Sequence, residues 1–177
     1  LSYIKPHWPY VAPAPYHQMY SASDALPPAR SDAERTDRHP VMAGFQRFTP
    51  SRSFSSPGVR EAVIPVYMGL ISQVDDHLGR LFRHLEASGR LQDTLVVLTS
   101  DHGDYLGDHW LGEKELFHDA SARIPLIVKD PSPATDRTRG TANAALAEAI
   151  DVLPTILEAL GHKSPAHIVE GRSLLPL

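Results

Sequence analysis

Thr94-Leu95-Val96-Val97-Leu98-Thr99 is a continuous apolar, β-branched run that breaks directly into Ser100-Asp101-His102-Gly103-Asp104. A short run of that kind, without helical spacing, is the signature of a strand covered on both faces, and it confines the chain to an α/β arrangement with helices packed over a sheet. Polar residues that follow such a strand at once lie at its carboxyl end, where open α/β sheets place their ligands. Gly103 lets the backbone turn sharply there. An acid and an imidazole therefore stand side by side on one turn.

The flanking residues agree. Over residues 59–88, Val63, Tyr67, Leu70, Ile71, Val74, Leu78, Leu81, Phe82 and Leu85 recur at helical intervals, which predicts a long amphipathic helix stopped by Gly89. Ile124-Pro125-Leu126-Ile127-Val128 predicts a second buried strand, with Pro125 confined to its start or to an edge. Residues 144–150 fit either strand or helix, and residues 152–160 fit a helix with Pro154 in its first turn and Gly161 at its end. At the start, Leu1-Ser2-Tyr3-Ile4 alternates like the end of a strand, and Pro6 and Pro9 then bar regular pairing, which delivers His7 into a loop. Residues 13–20 suggest a short helix. Residues 21–57, rich in Ser, Pro, Asp and Arg without sustained periodicity, are expected to be a long loop excursion. The predicted order is strand, helix, strand, loop, strand, helix.

Composition narrows the function classes. A net charge of -4 and a pI near 6.2, with no cluster of Lys and Arg, argue against a nucleic-acid or anionic-membrane partner. Cysteine is absent, so these residues hold no disulfide, thiolate metal site or cysteine nucleophile. No apolar run approaches the roughly 18 residues that suggest a membrane span. With 177 residues the chain is the size of one domain or part of one, and its opening at Leu1 inside an apparent strand leads us to expect a fragment. No compartment follows from the sequence, and cytoplasmic stands only as a default.

Asp101 and His102 can converge on one cation. Carboxylate with neutral imidazole suits Mn²⁺, Zn²⁺ or Fe²⁺ better than Ca²⁺, whose shell is oxygen only. Two ligands do not hold a metal unaided, and such a pair read alone is more often a helix-capping acid beside a solvated histidine. Gly107, Asp108, His109 and Lys114 keep the next stretch polar. A cation-binding loop would then be followed by groups that hold an anionic substrate. The alternative is a plain surface loop. Asp75 and Asp76 read as the solvated side of the long helix, and His118, Asp119 and Arg123 as an ion pair without a catalytic part.

Together these motifs resemble the sulfatases and phosphonate monoester hydrolases of the alkaline phosphatase superfamily. LSYIKPHWPYVAPAPY at the start is similar to that family's histidine-bearing strand and loop, YMGLISQVDDHLG to its long helix, and DTLVVLTSDHGDYLGD to its metal strand. RIPLIVKD, DVLPTIL and EGRSLL follow in the family's order. The resemblance implies an alkaline-phosphatase-like sheet flanked by helices, of which this chain is a partial catalytic domain lacking the N-terminal half.

It also implies roles. Asp101 and His102 match one half of the shell of a single divalent metal ion, Mn preferred and Zn, Fe or Ca possible. His7 matches the histidine near the leaving group, and Lys114 a lysine that contacts the non-bridging oxygens of the substrate. His109 is a further candidate for substrate binding, or with Asp108 for orienting His102. A formylglycine nucleophile, made from Cys or Ser in a C/S-x-P-x-R pattern, is expected outside this chain; Ser55-Ser56-Pro57-Gly58-Val59-Arg60 has its Arg one place too late and is set aside.

Because His at the second metal position is the phosphonate monoester hydrolase form, the expected substrate is a small phosphonate monoester or phosphate diester. An arylsulfatase, or another sulfate-ester hydrolase, is the alternative. A non-catalytic truncated or split-gene module is a third. Residues 21–57 could reach across a neighbouring subunit, so the complete enzyme is expected to be a homo-oligomer. With the nucleophile and the remaining acidic ligands expected elsewhere, the isolated 177 residues should be inactive. Incubation with Mn²⁺ and an aryl phosphonate or aryl sulfate should give no steady release of the phenol.

Overall fold

The computed structural model describes residues 1–175. The chain divides into two compact units, one formed by Leu1–His84 with His102–Ile124, the other by Leu85–Asp101 with the chain from Pro125 onward.

The first unit is organised along helix α4, Val59–Ala87, within one residue of the predicted bounds. Gly89, at φ +69°, ends it in the left-handed conformation that glycine adopts without strain. Phe54, Ile64 and Leu106 form the buried core, with Tyr10, Val63, Tyr67 and Met68 packed against it. Leu70 is fully buried. Gly69 faces the Tyr16 backbone so closely that a Cβ there would fall on the Tyr16 carbonyl oxygen. Tyr16 and Tyr20 also hydrogen-bond to Asp76 and Ser72 on the helix. Residues 10–20 are thereby laid along α4, with only a 3₁₀ turn at Tyr16–Gln18 where a short helix is predicted.

Residues 21–57 are not a bare loop. They fold into α1 (Ala33–Thr36), α2 (Pro40–Phe45) and α3 (Thr49–Phe54). None is long enough to display a hydrophobic period. Proline in the first turn of α2 and of α3 sets the backbone where a missing N–H costs nothing. A last short helix, α5 (Asp119–Ala122), follows the loop that carries Lys114.

The second unit contains β1 (Val96–Thr99) and β2 (Leu126–Lys129), which pair antiparallel from Val96 opposite Lys129 to Thr99 opposite Leu126. Pro125, which has no N–H to give, stands just before β2. Lys129 Nζ donates to the carbonyls of Leu91 (2.6 Å) and Thr94 (3.2 Å) and so fixes the entry to β1. Two expectations are corrected. Leu1 to Ile4 form no strand; Leu1 is 91% and Ile4 81% exposed. Neither strand is covered on both faces either, since β1 is at most half-buried and Ile127 is 59% exposed. In a two-stranded sheet both strands are edges, and alternate residues face outward.

Helix α6, Val152–Ala159, starts as predicted and ends one residue short of the predicted Leu160, whereas residues 144–150 remain irregular until a 3₁₀ turn at Ala149–Asp151. The buried Asp151 carboxylate accepts the N–H groups of Glu148 (2.9 Å) and Arg172 (2.8 Å), which hold it below the ordinary carboxylate range. Thr155 Oγ1 accepts the Leu174 N–H at 2.9 Å. The segment EGRSLL is in this way stapled to the first turn of α6.

The contrast between two glycines of α4 can be tested. Glycine in a helix interior is disfavoured against alanine by about 1 kcal/mol. At Gly79 a Cβ would meet only the flexible end of Arg83, so Gly79→Ala should raise the melting temperature. Gly69→Ala should lower it, because the Tyr16 backbone must move. Thermal unfolding of both variants, with helix propensity common to them, isolates that close approach.

Candidate functional site

In the turn after β1 the first donor is Asp101, an exposed carboxylate whose Oδ1 receives the Ser100 hydroxyl at 3.4 Å. Asp101 ends a stretch of the second unit, and His102 begins one of the first. His102 Nδ1 lies 2.8 Å from the Gly103 carbonyl oxygen. A carbonyl only accepts, so Nδ1 carries the proton and the neutral ring has its lone pair on Nε2, the form in which imidazole ligates a metal. The donor chemistry of Asp101 and His102 therefore fits part of a divalent-metal shell. Among the described residues no group of three or more His, Asp and Glu is placed to hold an ion.

The structure brings the two proposed substrate-contacting residues together. His7 Nδ1 donates to the Trp8 carbonyl at 2.8 Å, which leaves Nε2 as an acceptor, and Lys114 Nζ approaches Nε2 at 3.4 Å across 107 residues of sequence. Both side chains are half-buried. Lys5 Nζ donates to the carbonyls of His7 (3.1 Å) and Pro9 (2.6 Å), so the loop that carries His7 is folded back on itself.

Lys114 leaves a tightly closed loop. Tyr105 N–H donates to Glu113 O and Gly107 N–H to Leu111 O, both at 2.8 Å. Within it Leu106, His109, Trp110 and Glu113 hold positive φ between 45° and 62° without being glycine, a strain of about 1–3 kcal/mol each. Residues 29–51 hold the loop in this state. Ala29 donates to Asp108 Oδ1 (3.0 Å) and accepts from His109 N–H (2.9 Å). Ser31 O accepts from Trp110 Nε1 (2.7 Å), and the buried Ser51 hydroxyl accepts from Gly112 N–H (3.1 Å). Above the Trp110 ring lie the guanidinium groups of Arg30, at 4.1 Å, and Arg35, at 4.6 Å, a cation–π arrangement.

His109 belongs to this clamp. Its Nδ1 meets Glu34 Oε1 at 3.0 Å and its ring stacks on His118 at 4.0 Å. His118 gives its backbone N–H to the Tyr105 hydroxyl (3.3 Å), which in turn donates to His118 Nδ1 (2.8 Å). Burial first, and then the neighbouring His109, hold His118 below the ordinary histidine value, against an upward pull from Glu34. Asp119 and Arg123 form an exposed ion pair at 3.8 Å, while His118, grouped with them in the sequence, packs on His109 instead.

Ser121, Tyr10 and Asp104 escaped the sequence reading. The Ser121 hydroxyl donates to the Lys114 carbonyl and its own carbonyl accepts the Gly103 N–H at 2.7 Å, so one buried residue ties the turn of His102 to the backbone of Lys114. A Cβ at Gly103 would strike the Ala120 carbonyl. Asp104 accepts the Tyr10 hydroxyl at 2.7 Å, and burial pushes its carboxyl above the ordinary range against that hydrogen bond. Only Asp104, inside the SDHGD string, carries a local signal; Tyr10 and Ser121 matter through folding alone.

The chain matches the Sulfatase family over residues 1–162. It is 43% identical over 189 residues to a multifunctional alkaline phosphatase superfamily protein of Trinickia caryophylli, covering 99% of this chain and 36% of that protein. It is 30% identical over 178 residues to an arylsulfatase of Clostridium perfringens, covering 100% of this chain and 36% of the relative. The structure of a phosphonate monoester hydrolase from Silicibacter pomeroyi superposes with a TM-score of 0.87 at 38% identity, over 99% of this chain and 36% of that one. The fold is thus alkaline-phosphatase-like, with the chain spanning about a third of the length of these relatives.

The histidine stack makes stability depend on pH. The folded His118 imidazole titrates below its unfolded value of about 6.5. The unfolded chain therefore takes up the proton first as pH falls, and stability present at pH 7.5 is lost below about 6.5. Melting temperatures measured between pH 7.5 and 5.5 should fall for the parent and fall less for His118→Asn, which keeps an acceptor for Tyr105 and has no proton to gain.

Proposed function

The chain belongs to the sulfatase family, and on that premise we propose that the complete protein is a metal-dependent hydrolase of phosphonate monoesters and phosphate diesters. Its covalent nucleophile, expected as formylglycine, lies outside these residues. The observation that carries the reading is the 3.4 Å approach of Lys114 Nζ to His7 Nε2, two groups that local sequence does not join.

A phosphoryl or sulfuryl centre in its transition state spreads negative charge over its equatorial oxygens. A fixed ammonium at Lys114 lowers that barrier more than it binds the ground state. When protonated, His7 can deliver its Nε2 proton to the departing oxygen, while Nδ1–H, held by the Trp8 carbonyl, keeps the ring oriented. Asp101 and His102 would supply part of the shell of one divalent ion, Mn²⁺ preferred. Such an ion, when bound, would neutralise charge at the nucleophile and on the ester.

The choice of phosphoryl over sulfuryl transfer is supported by His102 and by the likeness to a phosphonate monoester hydrolase structure. The likeness to an arylsulfatase keeps sulfate esters as the competing substrates. Relative kcat/KM of the complete protein on matched aryl phosphonate, diaryl phosphate and aryl sulfate esters decides between them. We expect the phosphorus esters to lead; a lead for the sulfate overturns the assignment.

His7→Ala should lower kcat/KM by about 10²–10⁴ and Lys114→Ala by about 10²–10³. His102→Asn should shift metal preference from Mn²⁺ toward Ca²⁺ in direct metal titrations, and an unchanged preference would count against His102 as a ligand.

A further inference from the structure

We infer that Tyr10 is a positioning residue which, through its hydrogen bond to Asp104, holds His7 against Lys114. This rests on the reading of His7 and Lys114 given above. The loop of His7 is stiffened by Lys5, but those bonds end on the carbonyls of His7 and Pro9 and tie the loop only to itself. Among the described residues, a side-chain tie from this loop to the segment of Lys114, besides the His7 to Lys114 contact, is the Tyr10 hydroxyl, which donates to Asp104 Oδ2 at 2.7 Å.

Asp104 is suited to serve as that anchor. Its other oxygen, Oδ1, accepts the Leu106 N–H at 3.1 Å, so the carboxylate is oriented from both sides. It stands at the head of the strained loop whose far end, closed by the Tyr105 N–H to Glu113 O bond, presents Lys114. The Tyr10 to Asp104 bond therefore joins the chain segments that carry the two reacting side chains. It lies in a partly buried place, where water competes poorly for either group.

The Tyr10 ring has its own support. It packs edge-on against Phe54, with centroids 6.4 Å apart, and Tyr67, at 6.1 Å. Tyr10→Phe should leave the ring in the core and remove only the pin. Misplacement of a reacting group by about 1 Å can cost on the order of a hundredfold in rate, so the effect should appear in kcat while KM is unchanged.

The experiment uses the complete protein in four variants: Tyr10→Phe, Asp104→Ala, the two combined, and Asp104→Asn. Tyr10→Phe should lower kcat by about tenfold to a hundredfold. Asp104→Ala, which also leaves the Leu106 N–H without this acceptor, should lower kcat at least as much, and the combination should be no worse than Asp104→Ala alone, because the bond that Tyr10 makes is already gone. Asp104→Asn should recover most of the loss, since its oxygen can still accept from Leu106 and its amide can donate to the Tyr10 oxygen. Crystal structures of the parent and Tyr10→Phe supply a readout independent of turnover, with His7 expected to move away from Lys114.

An unaltered kcat in Tyr10→Phe, additive losses in the combination, or a His7 that stays beside Lys114 overturns the inference. If the parent protein turns over none of the esters, the proposed function falls, while the crystallographic comparison still decides the role of Tyr10.

Discussion

The site depends on one constraint: the loop between Tyr105 and Glu113 occupies backbone conformations that its residues would not choose. Non-glycine residues with positive φ raise the energy of the loop, and the closing hydrogen bonds within it satisfy its own backbone without choosing this shape over others. The stabilisation that selects it comes from outside. Ala29, Ser31, Glu34, Gln46 and Ser51 supply donors and acceptors to Asp108, Trp110, His109 and Gly112. The segment that looks least organised in the sequence thereby determines where the chain emerges at Lys114.

What was legible in the sequence follows from how far each signal reaches. Helix α4 announces itself through a stripe of Val63, Tyr67, Leu70 and Val74, and the glycine that ends it is read from local chemistry. The run at Val96–Thr99 and the break at Pro125 likewise need no tertiary information. The short helices α1 to α3 carry no period and persist through contacts with the distant loop. Leu1 to Ile4 misled because alternation identifies a residue pattern, whereas a strand also requires a neighbour to receive its hydrogen bonds.

The site divides in the same way. Asp101 and His102 were found together because they are adjacent in the chain. His7 and Lys114 were assigned only through a family resemblance, and the fold brings them to 3.4 Å. His109 sits in the same polar stretch, yet the presence of Glu34 and His118 turns its ring into the clamp. Ser121 had no signal, because a serine on a four-residue helix is unremarked until its hydroxyl is seen on the Lys114 carbonyl.

Segments such as residues 21–57, Pro-rich and without regular period, are ordinarily where a protein engineer would graft a tag, shorten a connection or splice in a foreign domain. The bonds from Ala29 to Asp108 and from Ser51 to Gly112 make that choice unsafe here, because they fix the spacing of two points that a length change would pull apart. An insertion between them would be transmitted through the strained loop to a cationic side chain far along the sequence. The tolerant positions for such grafts lie instead in the exposed turn around Gly140, where a Cβ would meet nothing within 4 Å.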